Sequence, residues 1–212
     1  MKPSSDVTIV DYGMGNLSSV SKAVEKLGFR PLISSRPQDV EKAARLILPG
    51  VGAFSKAMAE LRKRKLVHAL RDYLQSGRPF LGICLGLQLL FEESEEGSRV
   101  KGLGIFPGRV VRFRKAPKVP HMGWNQIRYA QAGASKKCPL LKNVREDDYF
   151  YFVHSYFPQP QEKKLACLTT RYGENFTSMI WRDNIFASQF HPEKSQAVGL
   201  AFLDSFLNTQ AA

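Results

Sequence analysis

The sequence predicts an α/β fold: three layers, with a mostly parallel central sheet, helices on both faces and an antiparallel extension. Three observations lead there. Val7-Thr8-Ile9-Val10, Arg45-Leu46-Ile47-Leu48 and Phe80-Leu81-Gly82-Ile83 are short apolar runs without polar alternation, as suits strands buried on both faces. Stretches with helical spacing of apolar residues separate them, giving β-α-β-α-β order with short connections. Beyond about residue 98 the chain turns to alternating, aromatic-rich segments such as Tyr149-Phe150-Tyr151-Phe152-Val153, which suit antiparallel pairs.

The run Val7–Val10 opens the sheet and ends in Asp11-Tyr12-Gly13-Met14-Gly15-Asn16. The helix after it carries Leu17, Val20, Val24 and Leu27 on one face and stops at Gly28. A second strand is expected near 30–33, followed by a polar link. The strand at 45–48 closes on Pro49-Gly50-Val51-Gly52-Ala53-Phe54, and 55–75 reads as one helix. The strand at 80–83 runs into a tight turn, with a helix expected over Leu87-Gln88-Leu89-Leu90-Phe91. Further strands are expected at 108–114, 124–129, 148–153, 165–171, 177–181 and 185–190. Val198, Ala201, Phe202 and Phe206 place a final helix over 197–207, docked on the sheet. With no internal repeat or low-complexity linker, residues 1–212 read as a single domain.

Composition excludes several classes. The three cysteines, Cys84, Cys138 and Cys167, show no paired spacing, which argues against a disulfide framework and for a reducing, cytoplasmic setting. Met1 to Asp6 carries no apolar core of leader length, and no run reaches the roughly 18 apolar residues of a membrane span. No His/Cys/Asp cluster has ligand spacing, so no metal is expected. The net charge of +12 raises nucleic acid as a partner. Against that, Arg62-Lys63-Arg64-Lys65 sits among Met58, Leu61, Leu66, Val67 and Leu70, as a solvated helix face would, and no RNA-binding signature accompanies it. The charge equally suits an acidic protein partner.

The chemistry centres on Gly82-Ile83-Cys84-Leu85-Gly86. A cysteine boxed by glycines at a strand-to-helix turn is lifted out of the sheet in the manner of a nucleophile elbow, with backbone N–H groups of the helix start beside it. A thiol nucleophile needs a base and a group to orient that base. Of four histidines, His191 stands out: it ends the strand at 185–190, and Glu193 lies two residues on, on the same side of an extended chain. Strand ends of one sheet can bring Cys84, His191 and Glu193 together. Cys138 and Cys167 read as small core hydrophobes, and His68 as an exposed or structural helix residue. A cysteine peptidase or deglycase remains open on the cysteine turn alone, and the Phe190–Ser195 segment argues against it.

Phe80-Leu81-Gly82-Ile83-Cys84-Leu85-Gly86-Leu87-Gln88 and Gln189-Phe190-His191-Pro192-Glu193-Lys194-Ser195 resemble the two signatures of class I (triad-type) glutamine amidotransferases. Within that class the chain is most similar to glutaminase subunits of imidazole glycerol phosphate synthase. The likeness rests on segments 11–16 and 49–54, on Pro120-His121-Met122-Gly123-Trp124-Asn125, and on Phe152-Val153-His154-Ser155-Tyr156. Leu87, where related anthranilate and aminodeoxychorismate glutaminases usually carry histidine, and Lys194 point the same way.

The resemblance implies hydrolysis of L-glutamine through a Cys84 thioester, with no cofactor. Oxyanion donors would be the backbone N–H groups of Leu85 and Val51, and Gly50, Gly52, Gln88, Ser155 and Tyr156 would line the substrate. It implies a heterodimer with a (β/α)8-barrel cyclase, contacted through Asn16, Met122, Trp124 and Lys194. Trp124 reads as an interface aromatic in a glycine-bounded turn, with a core tryptophan as the alternative. His121 reads as a loop residue, structural or at the interface. The rival readings are a glutaminase serving another synthase, such as anthranilate synthase, and a catalytically silent interaction protein on the same scaffold.

Overall fold

The computed structural model describes residues 6–97, 99–131 and 137–209; the reading of Met1–Ser5 as free of a leader lies outside them. The first half runs β1 (Val7–Val10), α1 (Leu17–Lys26), β2 (Pro31–Ser34), α2 (Pro37–Glu41), β3 (Leu46–Gly50), α3 (Phe54–Lys63), α4 (Leu66–Gln75), β4 (Phe80–Cys84) and α5 (Leu85–Gln88). The second half is strand-rich: β5 (Phe91–Ser94), β6 (Val100–Lys101), β7 (Phe106–Arg112), β8 (His121–Gln126), β9 (Arg128–Tyr129), β10 (Tyr149–His154) and β11 (Tyr156–Pro160). It closes with β12 (Ala166–Tyr172), β13 (Glu174–Arg182), β14 (Ile185–Ser188) and α6 (Gln196–Leu207).

The main sheet has eight strands in the order β2-β1-β3-β4-β14-β13-β12-β9. Its first five are parallel and its last three antiparallel, as the change of pattern along the chain predicts. Side chains alternate faces along each strand. Ile9, Ile47, Leu81 and Ile83 enter one buried cluster with Val20 and Val24 of α1 and Phe202 and Phe206 of α6. Val10, Leu46, Leu48 and Phe80 enter another with Val40 of α2, Met58 and Leu61 of α3 and Leu70 of α4. Two cores, one on each face, explain the uninterrupted apolar runs. The antiparallel extension does not all join this sheet. A four-stranded sheet, β11-β7-β5-β6, and a two-stranded ribbon, β10-β8, stand apart from it.

Four local expectations are corrected. The helix expected over 55–75 is two helices, broken at Lys65 with φ +60°. Leu61 and Leu66 are both fully buried. In one continuous helix they would point about 140° apart, and the left-handed residue between them turns both into the same core. The helix expected at 87–91 is the four-residue α5 at 85–88, and Phe91 already begins β5. Every residue from Leu85 to Phe91 is buried, so no periodicity could distinguish helix from strand there. The extended form follows from pairing of Phe91 with Phe106. The polar link after β2 contains α2, which buries only Val40 and therefore carries no readable stripe. His121 lies not in a loop but in β8, hydrogen-bonded to β10, and the strand expected from Trp124 begins three residues earlier, so Trp124 is within a strand rather than a turn.

Candidate active site

The parallel strands β3, β4 and β14 end on one side of the sheet, where Gly50 pairs with Cys84. Cys84 leaves β4 with φ +54° and ψ −104°, a strained conformation for a residue with a side chain. Close backbone approach makes the turn possible. A Cβ on Gly86 would collide with the Leu48 carbonyl oxygen, and one on Gly82 would lie 2.9 Å from the carbonyl of Gly86. The chain therefore turns sharply enough to aim Sγ away from the sheet. Because α5 is a single turn, the field behind Cys84 comes from its first free N–H groups rather than from a long helix.

Chain returning from β14 brings His191 and Glu193 to the same place. His191 Nδ1 lies 2.8 Å from Glu193 Oε1, and both side chains are only 2% exposed. The segment is pinned at two points: the His191 N–H donates to the Tyr151 carbonyl at 2.9 Å, and the Ser195 hydroxyl donates to the His191 carbonyl at 2.7 Å while accepting the Tyr151 N–H at 3.0 Å. The ring's other nitrogen, Nε2, is buried without a hydrogen-bond partner. Burial lowers the basicity of His191, but the nearby Cys84 sulfur and the Glu193 carboxylate outweigh it and push the pKa up to about 10. The Cys84 Sγ is 3.8 Å from the Val153 carbonyl oxygen and accepts from Gln189 Nε2 at 3.5 Å. Thiol, imidazole and carboxylate thus meet from two distant segments, an arrangement able to attack a carbonyl carbon and shuttle the proton.

A cavity of about 590 Å³ opens onto Cys84. It is lined by Val51, Gly52, Leu85, Gln88, Ser155, Tyr156 and Lys194, all named from sequence, and also by Ala53, Pro120, Val153, His154 and Glu96. Gln88 is buried, with Nε2 donating to the Tyr156 carbonyl at 2.9 Å and to Gln189 Oε1 at 3.2 Å. Gly50 pairs beside Cys84 but is not part of the cavity wall. Glu96 and Gln189 went unnoticed in the sequence. Glu96 is one of several acids in Glu92-Glu93-Ser94-Glu95-Glu96, and only the fold singles it out by having its Oε2 accept the Phe54 N–H, at the start of α3, at 2.7 Å. Gln189 stood inside the histidine motif, and its orientation toward sulfur depends on the third dimension.

Among the residues expected to meet a partner, Met122 is 63% and Trp124 46% exposed, on the same face of β8. The Lys194 ammonium sits 5.7 Å from the Tyr151 ring, which Trp124 meets edge-on at 6.1 Å. Asn16 caps α1, its Oδ1 accepting the Ser19 N–H. His121 and His154 are buried neutral rings, lowered by desolvation to about 4 and about 3. Cys138 and Cys167 are buried, and His68 is exposed beside Asp72.

Residues 8–208 match the family described as glutamine amidotransferase class-I. The chain is 50% identical over 204 residues, 95% of each protein, to the imidazole glycerol phosphate synthase subunit HisH of Thermosynechococcus vestitus. It is 47% identical over 207 residues, 94% of this chain and 98% of the relative, to the subunit of the same name from Syntrophotalea carbinolica. Among solved structures, PurLQS from Thermotoga maritima aligns with a TM-score of 0.73 at 17% identity, covering 95% of this chain and 97% of that one, a likeness of fold.

Proposed function

The chain belongs to the class-I glutamine amidotransferases, and from that membership we propose that it is the glutaminase of an imidazole glycerol phosphate synthase, supplying ammonia for histidine biosynthesis. The observation that carries the reading is the buried His191–Glu193 pair beside a strained Cys84 that lines a cavity with ample room for glutamine.

The Cys84 sulfur attacks the side-chain amide carbon of L-glutamine, forming an S–C bond and moving the carbonyl electrons onto oxygen. The N–H groups of Leu85 and Val51 receive that oxyanion, each worth about 3 kcal/mol in the transition state. His191, protonated on Nε2, gives its proton to the departing amine, and ammonia leaves a thioester on Cys84. Water then gives a proton to His191 and attacks the thioester, releasing glutamate. Glu193 holds the ring in one orientation and stays ionised. Gln88 keeps Oε1 as an acceptor for the substrate amide, because Nε2 is already engaged. Glu96, across the cavity, suits the α-ammonium group of glutamine, with Gly52, Ser155 and Tyr156 around the amino-acid end.

Free ammonia is protonated in water, so the product needs a covered route to its acceptor. A (β/α)8-barrel cyclase docked over the cavity mouth through Asn16, Met122, Trp124 and Lys194 would provide it, with residues 1–212 acting as one glutaminase domain. The test is glutamate release from L-glutamine by the chain alone, and with such a cyclase and its ribotide ligand. Low release alone, a large rise in the complex and none from Cys84→Ala is the expected result. Undiminished release by Cys84→Ala would sink the thioester mechanism, and no rise with the cyclase would sink the pathway assignment.

A further inference from the structure

Two buried histidines take no part in the chemistry above, yet they are joined to each other and to the nucleophile. His154 Nδ1 faces the Tyr156 carbonyl oxygen at 2.9 Å, so Nδ1 carries the proton and donates. His154 Nε2 must then accept, and its partner at 3.1 Å is His121 Nδ1, which donates. His121 Nε2 in turn accepts from Asn125 Nδ2 at 3.2 Å, while Asn125 also donates to the Arg171 carbonyl at 3.0 Å. Every proton position is set by the next acceptor, and neutral rings are required throughout. Phe152 and Tyr172 stack on His121, and Phe113 and Phe176 lie against His154, so aromatic rings pack around the two imidazoles.

The chain continues past Tyr156. Its carbonyl oxygen also accepts from Gln88 Nε2, which fixes the Gln88 amide with nitrogen inward. The same nitrogen donates to Gln189 Oε1, which orients the Gln189 amide with its oxygen toward Gln88 and its nitrogen toward Cys84 Sγ. Gln189 is fully buried. The sulfur's other neighbour is the Val153 carbonyl oxygen, which accepts a hydrogen bond from the S–H but repels a thiolate. Gln189 is thus the neutral donor that still favours the sulfur once its proton has gone to His191.

We propose that Gln189 is a positioning residue for the Cys84 sulfur and that the His121–His154–Gln88 chain locks its amide in the donating orientation. The inference rests on Cys84 being the nucleophile. It differs from the triad's role, since none of these residues exchanges a proton with substrate. It also ties the sulfur's donor to β8, the strand that displays Met122 and Trp124.

The test is the rate of Cys84 alkylation by iodoacetamide at pH 7, read by peptide mass spectrometry, which requires neither glutamine nor a partner. Gln189→Leu and the near-isosteric Gln189→Glu should each slow it about tenfold, the worth of one hydrogen bond to a charged group. His154→Leu should slow it about threefold, whereas His154→Asn, whose Nδ2 can replace the Nδ1 donor, should restore it. A purely structural loss would follow thermal stability and would not be rescued by asparagine. Unchanged rates in both Gln189 variants would overturn the inference, as would equal losses in His154→Leu and His154→Asn. If His154→Leu does not fold, the Gln189 pair and His154→Asn still decide. Wild-type Cys84 reacting no faster than glutathione would instead overturn the nucleophile reading itself.

Discussion

At the scale of single residues, the site depends on one buried imidazole held between a sulfur and a carboxylate. The ordinary pKa of His191 is 6.5, and in the fold it is pushed up to about 10. Proton binding therefore favours the folded state fully below 6.5, and that contribution is lost as pH rises through 10. Replacing Glu193 by glutamine removes the stabilising carboxylate charge and lowers the ring's folded pKa. Glu193→Gln should thus move the alkaline limit of glutaminase activity to lower pH and reduce kcat about a hundredfold, as expected for losing a buried charge-assisted hydrogen bond. A pH–rate profile checks this, and an unmoved alkaline limit would count against the assigned role of Glu193. All three members of this set were readable from sequence because their residue types and local punctuation are distinctive. Glu96 was not, since a run of acids looks the same whichever member faces the cavity.

At the scale of elements, the turn after β4 is set by space and the break between α3 and α4 by packing. Gly86→Ala would drive a Cβ into the Leu48 carbonyl and must part β3 from the turn. It should lower unfolding free energy by about 2 kcal/mol or more, as overpacking does, and reduce Cys84 reactivity with it. Lys65 is an exposed residue held in the left-handed region at φ +60°. Lys65→Gly should stabilise by about 1 kcal/mol, the usual left-handed penalty for an L-residue, in urea denaturation with unchanged activity. A destabilised Lys65→Gly would mean that the side chain contributes more than its backbone costs. The break itself was not read from the sequence: Met58 and Leu61 before it and Leu66 and Leu70 after it each fit a helical stripe of their own, and only their shared core requires the chain to turn between them.

At the scale of the whole molecule, the net charge of +12 is an excess of bases over acids that internal ion pairing cannot cancel, and the salt bridges among the described residues are mostly exposed pairs, worth little each. Such a surface speeds encounter with an acidic partner. Association with the proposed cyclase should therefore slow steeply as salt is raised from low to physiological ionic strength, while dissociation changes little. Stopped-flow measurement across salt concentrations checks this, and a salt-independent association rate would remove the electrostatic reading. Among the described residues no helix is long and apolar enough to cross a membrane.

The fold class, the parallel half of the main sheet and the triad follow from local pattern. Doubly buried strands are continuously apolar, a sharp turn needs its glycines, and a base beside its carboxylate shows as His-x-Glu. These are short-range requirements, written within a few residues of where they act. Tertiary structure alone decided the separate four-stranded sheet, the fate of Phe91, the place of His121 in a strand, and the hydrogen-bond run from Asn125 to Cys84. Each of these depends on partners far away in the chain. A buried apolar residue takes helix or strand according to what it meets, and an amide points where its distant acceptor lies.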